Sequence, residues 1–225
     1  MKNIILTLIC TFCLAGVLSS QESNFSPVKY KKLKKEIKKK RSPYFYPALY
    51  QRYVELDTSL SAVEFRYLYY GYTFQSDYSP YGTPALQDSL VSYLTRPELM
   101  RAEYEVAARI GGELLHSNPF RLRETFITAV AYEMAGNSRM SSLYFDLYKK
   151  QVDAMMSTGD GLSTQAAFSV IYVQDEYELL EVLSFEFSGN QHLLEGGFDM
   201  LELKANSAGI DALFFDVSRL LDVGF

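Results

Sequence analysis

Residues 122–156, LRETFITAVAYEMAGNSRMSSLYFDLYKKQVDAMM, hold the reading that decides the fold. Ala135-Gly136-Asn137 interrupts two helix-like stretches. Glycine supplies the left-handed residue that closes one helix, and asparagine can cap the next at once. Two helices joined so tightly must lie side by side, which makes this a helical hairpin. Similar start signals precede it. Asn118-Pro119 and Thr83-Pro84 each read as a cap followed by proline in the first turn. Thr95 with Glu98, and Ser61 with Glu64, have the spacing of a capping box, flanked by Leu94 and Leu99 and by Leu60 and Phe65 at the staple positions. From about Pro47 to Met156 the chain is therefore expected to be a succession of helices with tight connections.

The spacing of small and aromatic residues sharpens this. Ala129, Tyr132, Gly136, Ser141 and Phe145 fall where a tetratricopeptide (TPR) repeat places its small, aromatic, turn, small and aromatic positions. One repeat earlier, Ala107 and Pro119 match as well. Tyr148 and Asp153 depart from that pattern, so the hairpins over residues 88–158 are TPR-like. After Gly159-Asp160-Gly161 the texture changes. Phe168 to Val173 is β-branched and aromatic, Asp175 to Leu183 is helical, and LSFEFS, GGFDMLELKA and DALFFDV are strand candidates. The fold class that follows is α+β: TPR-like stacked helical hairpins over 21–158, then a small β-α-β-β-β region over 159–225. Helices are expected on one face of that sheet.

The N-terminus reads as a targeting segment. Lys2 precedes an apolar run from Ile4 to Leu18 and then Ser19-Ser20, the layout of a secretory signal peptide over residues 1–20 with cleavage near Ser20. The run is shorter than the ~20 residues of a spanning helix. Both cysteines, Cys10 and Cys13, lie within it, so the exported chain has no thiol for a disulfide, a nucleophile or a metal. The expected location is periplasmic or extracellular.

Charge is unevenly distributed. Lys29 to Arg41 hold nine basic residues and only Glu36 against them, whereas from Ser42 onward twelve basic residues face twenty-five acidic ones. So acidic a body excludes nucleic acid as a partner. Tyr30, Leu33 and Ile37 recur at i, i+3 and i+7, giving the basic segment one apolar stripe. Ser26-Pro27 would start this helix and Ser42-Pro43 would end it. Lys31, Lys32, Lys34, Lys35, Lys38, Lys39, Lys40 and Arg41 then form a basic outer face. That face can lie over the protein's own acidic surface or meet an anionic envelope surface.

No HExxH, GxSxG or P-loop occurs. His116 sits at a helix end, where an imidazolium suits the carbonyls, and His192 sits in a polar turn. Asp175, Glu176, Glu178 and Glu181 read as a solvated helix face. Nothing selects a catalytic residue, a metal site or a cofactor. The tyrosines around residues 65–82 admit two readings. They can be core, or Tyr70, Tyr78 and Tyr81 can form an exposed platform for a glycan or peptide.

The basic start, SPYFYPALY, LYYGYTFQSDYSPYG, the TPR-like hairpins and ALFFDV together resemble domain-of-unknown-function family 4919. That resemblance implies a secreted bacterial protein and carries over no catalytic residue. The function that fits these observations is a non-enzymatic interaction or assembly module with a protein or peptide partner. The alternative is glycan or cell-envelope binding through the tyrosines.

Overall fold

The structure is a computed structural model and describes residues 25–224 apart from 95, 97 and 98. The targeting segment 1–20 and the capping pair Thr95 and Glu98 lie outside the described residues. Seven helices come first: α1 (Tyr30–Glu36), α2 (Tyr46–Val54), α3 (Ala62–Gly71), α4 (Gln87–Leu94), α5 (Arg101–Ser117), α6 (Leu122–Met134) and α7 (Ser138–Met156). Then follow β1 (Phe168–Ser169), α8 (Gln174–Val182), β2 (Phe187–Leu194), β3 (Phe198–Leu203), β4 (Ala212–Asp216) and α9 (Ser218–Gly224). The α+β class is as expected, and the C-terminal order is β-α-β-β-β with a terminal helix that the sequence patterns did not announce.

Where caps are made by side chains, the sequence places helix starts to the residue. Ser61 N donates to Glu64 Oε2 at 2.9 Å and Glu64 N returns to Ser61 Oγ at 3.3 Å, with Leu60 and Phe65 buried beside them. Gly136 has φ +77°, and Asn137 Oδ1 accepts from Met140 N at 3.2 Å to start α7. The proline-based starts run late. Thr83-Pro84 leads into a turn before α4 begins at Gln87, and Asn118-Pro119 into one before α6 begins at Leu122. Ser26-Pro27 also stays non-helical. Ser26 N bonds Ser157 O at 3.1 Å and its carbonyl accepts from Arg66, so this segment is strapped to the end of α7 and α1 starts only at Tyr30.

The helical core is aromatic. Phe120 is fully buried, with rings of Tyr53 (4.6 Å), Tyr72 (5.5 Å), Tyr69 (5.8 Å) and Phe65 (6.1 Å) around it. Its φ of +63° is a left-handed conformation that costs a side-chain-bearing residue about 1 kcal/mol. Burying such a ring is worth roughly 2–3 kcal/mol and outweighs that cost. Helix α3 sits centrally, packed on α1, α2 and α7.

The sheet has strand order β1-β4-β3-β2, with β1 parallel to β4 and the other pairs antiparallel. Residues Phe168, Phe215, Asp199 and Leu193 form one row across the four strands. The first three are buried on the helix-facing side, while Leu193 on the outer strand is 63 % exposed. Cover therefore runs out at β2. The strand expected at LSFEFS starts only at Phe187, because Ser184 turns at φ +62° after α8. No helix among the described residues is long and apolar enough to cross a membrane.

Candidate functional site

The tyrosines of α3 and the following loop fasten the helical part to the β1–α8 segment. Tyr70 Oη donates to Ser169 O at 2.9 Å, Tyr78 Oη to Ile171 O, and Tyr172 Oη to Pro119 O at 3.0 Å. Each hydroxyl donates to a backbone carbonyl of a distant segment, so its own burial is satisfied. Tyr70 and Tyr78 are thus core residues, not members of a surface platform. Burial holds both hydroxyls well above the ordinary tyrosine range. Of the three proposed rings only Tyr81 reaches solvent, 51 % exposed.

The first turn of α8 overturns another expectation. Asp175 and Glu176 are buried rather than solvated. Tyr69 Oη donates to Asp175 Oδ2 at 2.9 Å. Burial pushes the Asp175 carboxyl up to about 7, opposed by the Tyr69 hydrogen bond and by the Arg121 charge. Arg121 itself is buried, its guanidinium 3.9 Å from the Tyr172 ring centroid and donating to Gly82 O. Glu124, also buried, is shifted upward by burial. A signal for this was present: Asp175 stands four residues before Leu179, and Glu176 four before Leu180, and both leucines are core. The acids therefore occupy the inward stripe of the helix.

Glu176 faces the sheet at Asp199. Its carboxyl is pushed up to about 9, first by burial and then by the Asp199 and Asp175 charges. Neither of its oxygens reaches hydrogen-bonding geometry with a protein group, so we assign the shift to desolvation and like charge. At neutral pH Glu176 is a neutral acid. Asp199 is held from the other side: Gln191 Nε2 donates to its Oδ2 at 2.7 Å, and Tyr177 Oη donates to Gln191 Oε1.

Asp199 and Gln191 open onto a cleft of roughly 370 Å³ whose remaining lining is Tyr81, Val173, Leu193, Val217, Leu220 and Leu221. The lining comes from β2, β3, α9 and three connecting segments, residues far apart in sequence. A larger hollow of about 520 Å³ lies over the α6–α7 turn between Arg101, Glu105 and Arg139. Its arginines are solvated and Arg101 pairs with Glu105 at 3.5 Å, so no buried polar group faces it.

The other sequence-marked residues separate from the cleft. His192 is not in a turn: it lies within β2, where its Nε2 is 3.2 Å from Glu202 Oε1 on β3. His116 occupies the exposed last turn of α5. No group of three metal-ligating side chains occurs among the described residues. On α1 the apolar stripe docks as expected, with Leu33 and Ile37 buried and Tyr30 set edge-on to Tyr70 at 6.2 Å. The seven lysines and Arg41 all point to solvent.

Neither the curated proteins nor the solved structures contain a match to this chain. The model of the domain of unknown function DUF4919 matches residues 31–224, from Lys31 near the start of α1 to the end of α9, and the chain belongs to that family.

Proposed function

We propose that the protein is an exported, non-enzymatic interaction module whose TPR-like hairpins serve as scaffold and whose cleft beside β2 takes a peptide segment of a partner protein. The observation that carries this is the row Phe168, Phe215, Asp199, Leu193. A sheet face that is buried at this row on three strands continues onto the outer strand, where Leu193 is exposed. Exposed Leu193 and Tyr81 flank a cleft with one polar pair, Asp199–Gln191, on its floor. The outer edge of β2 has no strand beside it among the described residues, and an extended peptide can pair with such an edge while one side chain fills the neighbouring cleft. Buried Ala129 and Ser141, small residues where α6 meets α7, support the TPR-like assignment of the scaffold. The charged start and apolar run of residues 2–18, with both cysteines inside it, support export.

The test is partner capture from the envelope fraction with wild-type and Leu193→Asp baits, combined with a photo-cross-linking residue at position 193. A partner held by the wild type, lost by the variant and cross-linked at 193 is the expected result. Identical captures with both baits overturn the assignment to this cleft.

A further inference from the structure

The basic face of α1 has a placement that the cleft does not explain. Of the seven lysines and Arg41 in residues 31–41, only Lys39 forms an ion pair among the described residues, with Glu36, and Lys34 lies 5.2 Å from the Phe74 ring centroid. The other six cations have no carboxylate within ion-pair distance among the described residues, although the chain from Ser42 onward carries twenty-five acids. The segment thus does not lie over the protein's own acidic surface. It is nevertheless fixed in place. Leu33 and Ile37 are buried, and Tyr46 N bonds Ile37 O at 2.9 Å. The cations are therefore presented outward by a docked helix and the turn after it.

We infer that this face is a docking surface for an anionic phospholipid membrane, on which the protein lies without inserting. Three features favour a lipid surface over a shaped ligand. The array lies on a peripheral helix and the turns after it, with every cation exposed. Seven of its eight cations are lysines, point charges suited to diffuse attraction, whereas close phosphate recognition favours the planar fork of arginine. Beside it Tyr44 and Tyr67 stack at 3.9 Å, both half-buried, and tyrosine rings with polar tips suit contact with a membrane surface. The acidic remainder of the chain is repelled by the same surface, so attraction at α1 and repulsion elsewhere set a single orientation. The inference rests on this face alone and stands whether or not the cleft takes a partner.

The experiment is co-sedimentation with vesicles of phosphatidylglycerol and phosphatidylethanolamine, against vesicles of phosphatidylcholine alone. The apolar run of residues 4–18 would itself partition into lipid if retained, so the reading is the difference between wild type and the triple reversal K31E/K35E/K38E in the same chain. All three side chains are exposed and make no hydrogen bond or ion pair among the described residues, and an unchanged thermal transition confirms an intact fold. At about five-fold per surface cation, the reversal is expected to weaken binding to the anionic vesicles roughly 100-fold or more. Wild-type binding is expected to fall steeply as salt is raised and to be absent on phosphatidylcholine. Equal binding by wild type and variant, or no binding to anionic vesicles at low salt, overturns the inference. So does retention on a soluble polyanion such as heparin without retention on vesicles, which would point to a different class of partner.

Discussion

Replacing Glu176 by glutamine is expected to stabilise the protein at neutral pH, although the position is fully buried. In the folded chain the Glu176 carboxyl is pushed up to about 9, against 4.5 for an ordinary glutamate. Between those two pH values the unfolded chain releases a proton that the folded chain retains. Stability contributed by this group is therefore intact below about pH 4.5 and declines as pH rises toward 9. Each pH unit in that window costs about 1.4 kcal/mol, so at pH 7 the group costs about 3 kcal/mol and at pH 8 about 5 kcal/mol. Glutamine keeps the shape of a protonated glutamate and never ionises. Its amide can also donate toward Asp199, which the neutral acid approaches without a well-formed hydrogen bond. Urea denaturation of both proteins at pH 4.5, 6, 7 and 8 reads the difference directly. The curves are expected to agree at pH 4.5 and to separate progressively above it, with the variant more stable by several kcal/mol at pH 8. Asp175, raised from 3.8 to about 7, gives both proteins a common decline as pH rises between those values and cancels from the comparison. A variant that is less stable than wild type at pH 8, or a gap that does not grow with pH, refutes the account of Glu176 as a desolvated neutral acid.

Two further outcomes follow from the same packing. Tyr69→Phe removes the donor to Asp175 Oδ2 and leaves a buried carboxyl unpartnered on that side, costing about 1–3 kcal/mol in chemical denaturation. The loss is expected to be larger at pH 8 than at pH 5, because the tyrosine bond favours the ionised form of Asp175. Gly111→Ala tests the contact between α5 and α6. A Cβ there would overlap Thr128 Oγ1 and lie 3.0 Å from Thr128 Cβ, and that hydroxyl is already held by Glu124 O at 2.7 Å. The overpacking cost of roughly 1–3 kcal/mol exceeds the ~1 kcal/mol helix-propensity gain, so a net loss in thermal stability is expected.

Local chemistry was legible in the sequence wherever a side chain closed its own turn. Ser61–Glu64, Gly136 and Asn137 worked because both partners of each cap lie within four residues. The proline-based starts misled, since proline restricts its own φ and its neighbour but does not begin the hydrogen-bond ladder. At Asn118-Pro119 the chain first needs a turn that delivers Phe120 into the aromatic core. The alternation in FDMLEL and ALFFD gave β3 and β4 their faces, with Leu201, Leu203, Leu213 and Phe215 inward. What could not be read was whatever depends on contacts across long separations. Tyr70 and Tyr78 are core because their hydroxyls meet carbonyls ninety or more residues away. The C-terminal helix escaped notice because SRLLDVG is too short to show a period. The cleft drew on Tyr81, Leu193, Asp199 and Leu221, which no local pattern unites.

The places where the sequence violates local rules most strongly lie close together. Glu176, unpartnered and neutral, stands against Asp199, and Asp199 is the polar member of an otherwise apolar row. A leucine or methionine at either position would fill the same space without the desolvation cost, since apolar replacement of buried charged pairs is commonly neutral or stabilising. Two costly acids in one packed layer are thus not explained by stability. Asp199 lines the cleft beside β2, held there by Gln191 and Tyr177, and Glu176 stands behind it. Departures from consistency between local preference and global fold concentrate at functional sites. That coincidence, together with exposed Leu193, supports seeking the partner of this protein at the cleft rather than at the larger polar hollow over the α6–α7 turn. The hollow offers volume but holds no buried group whose cost needs a reason.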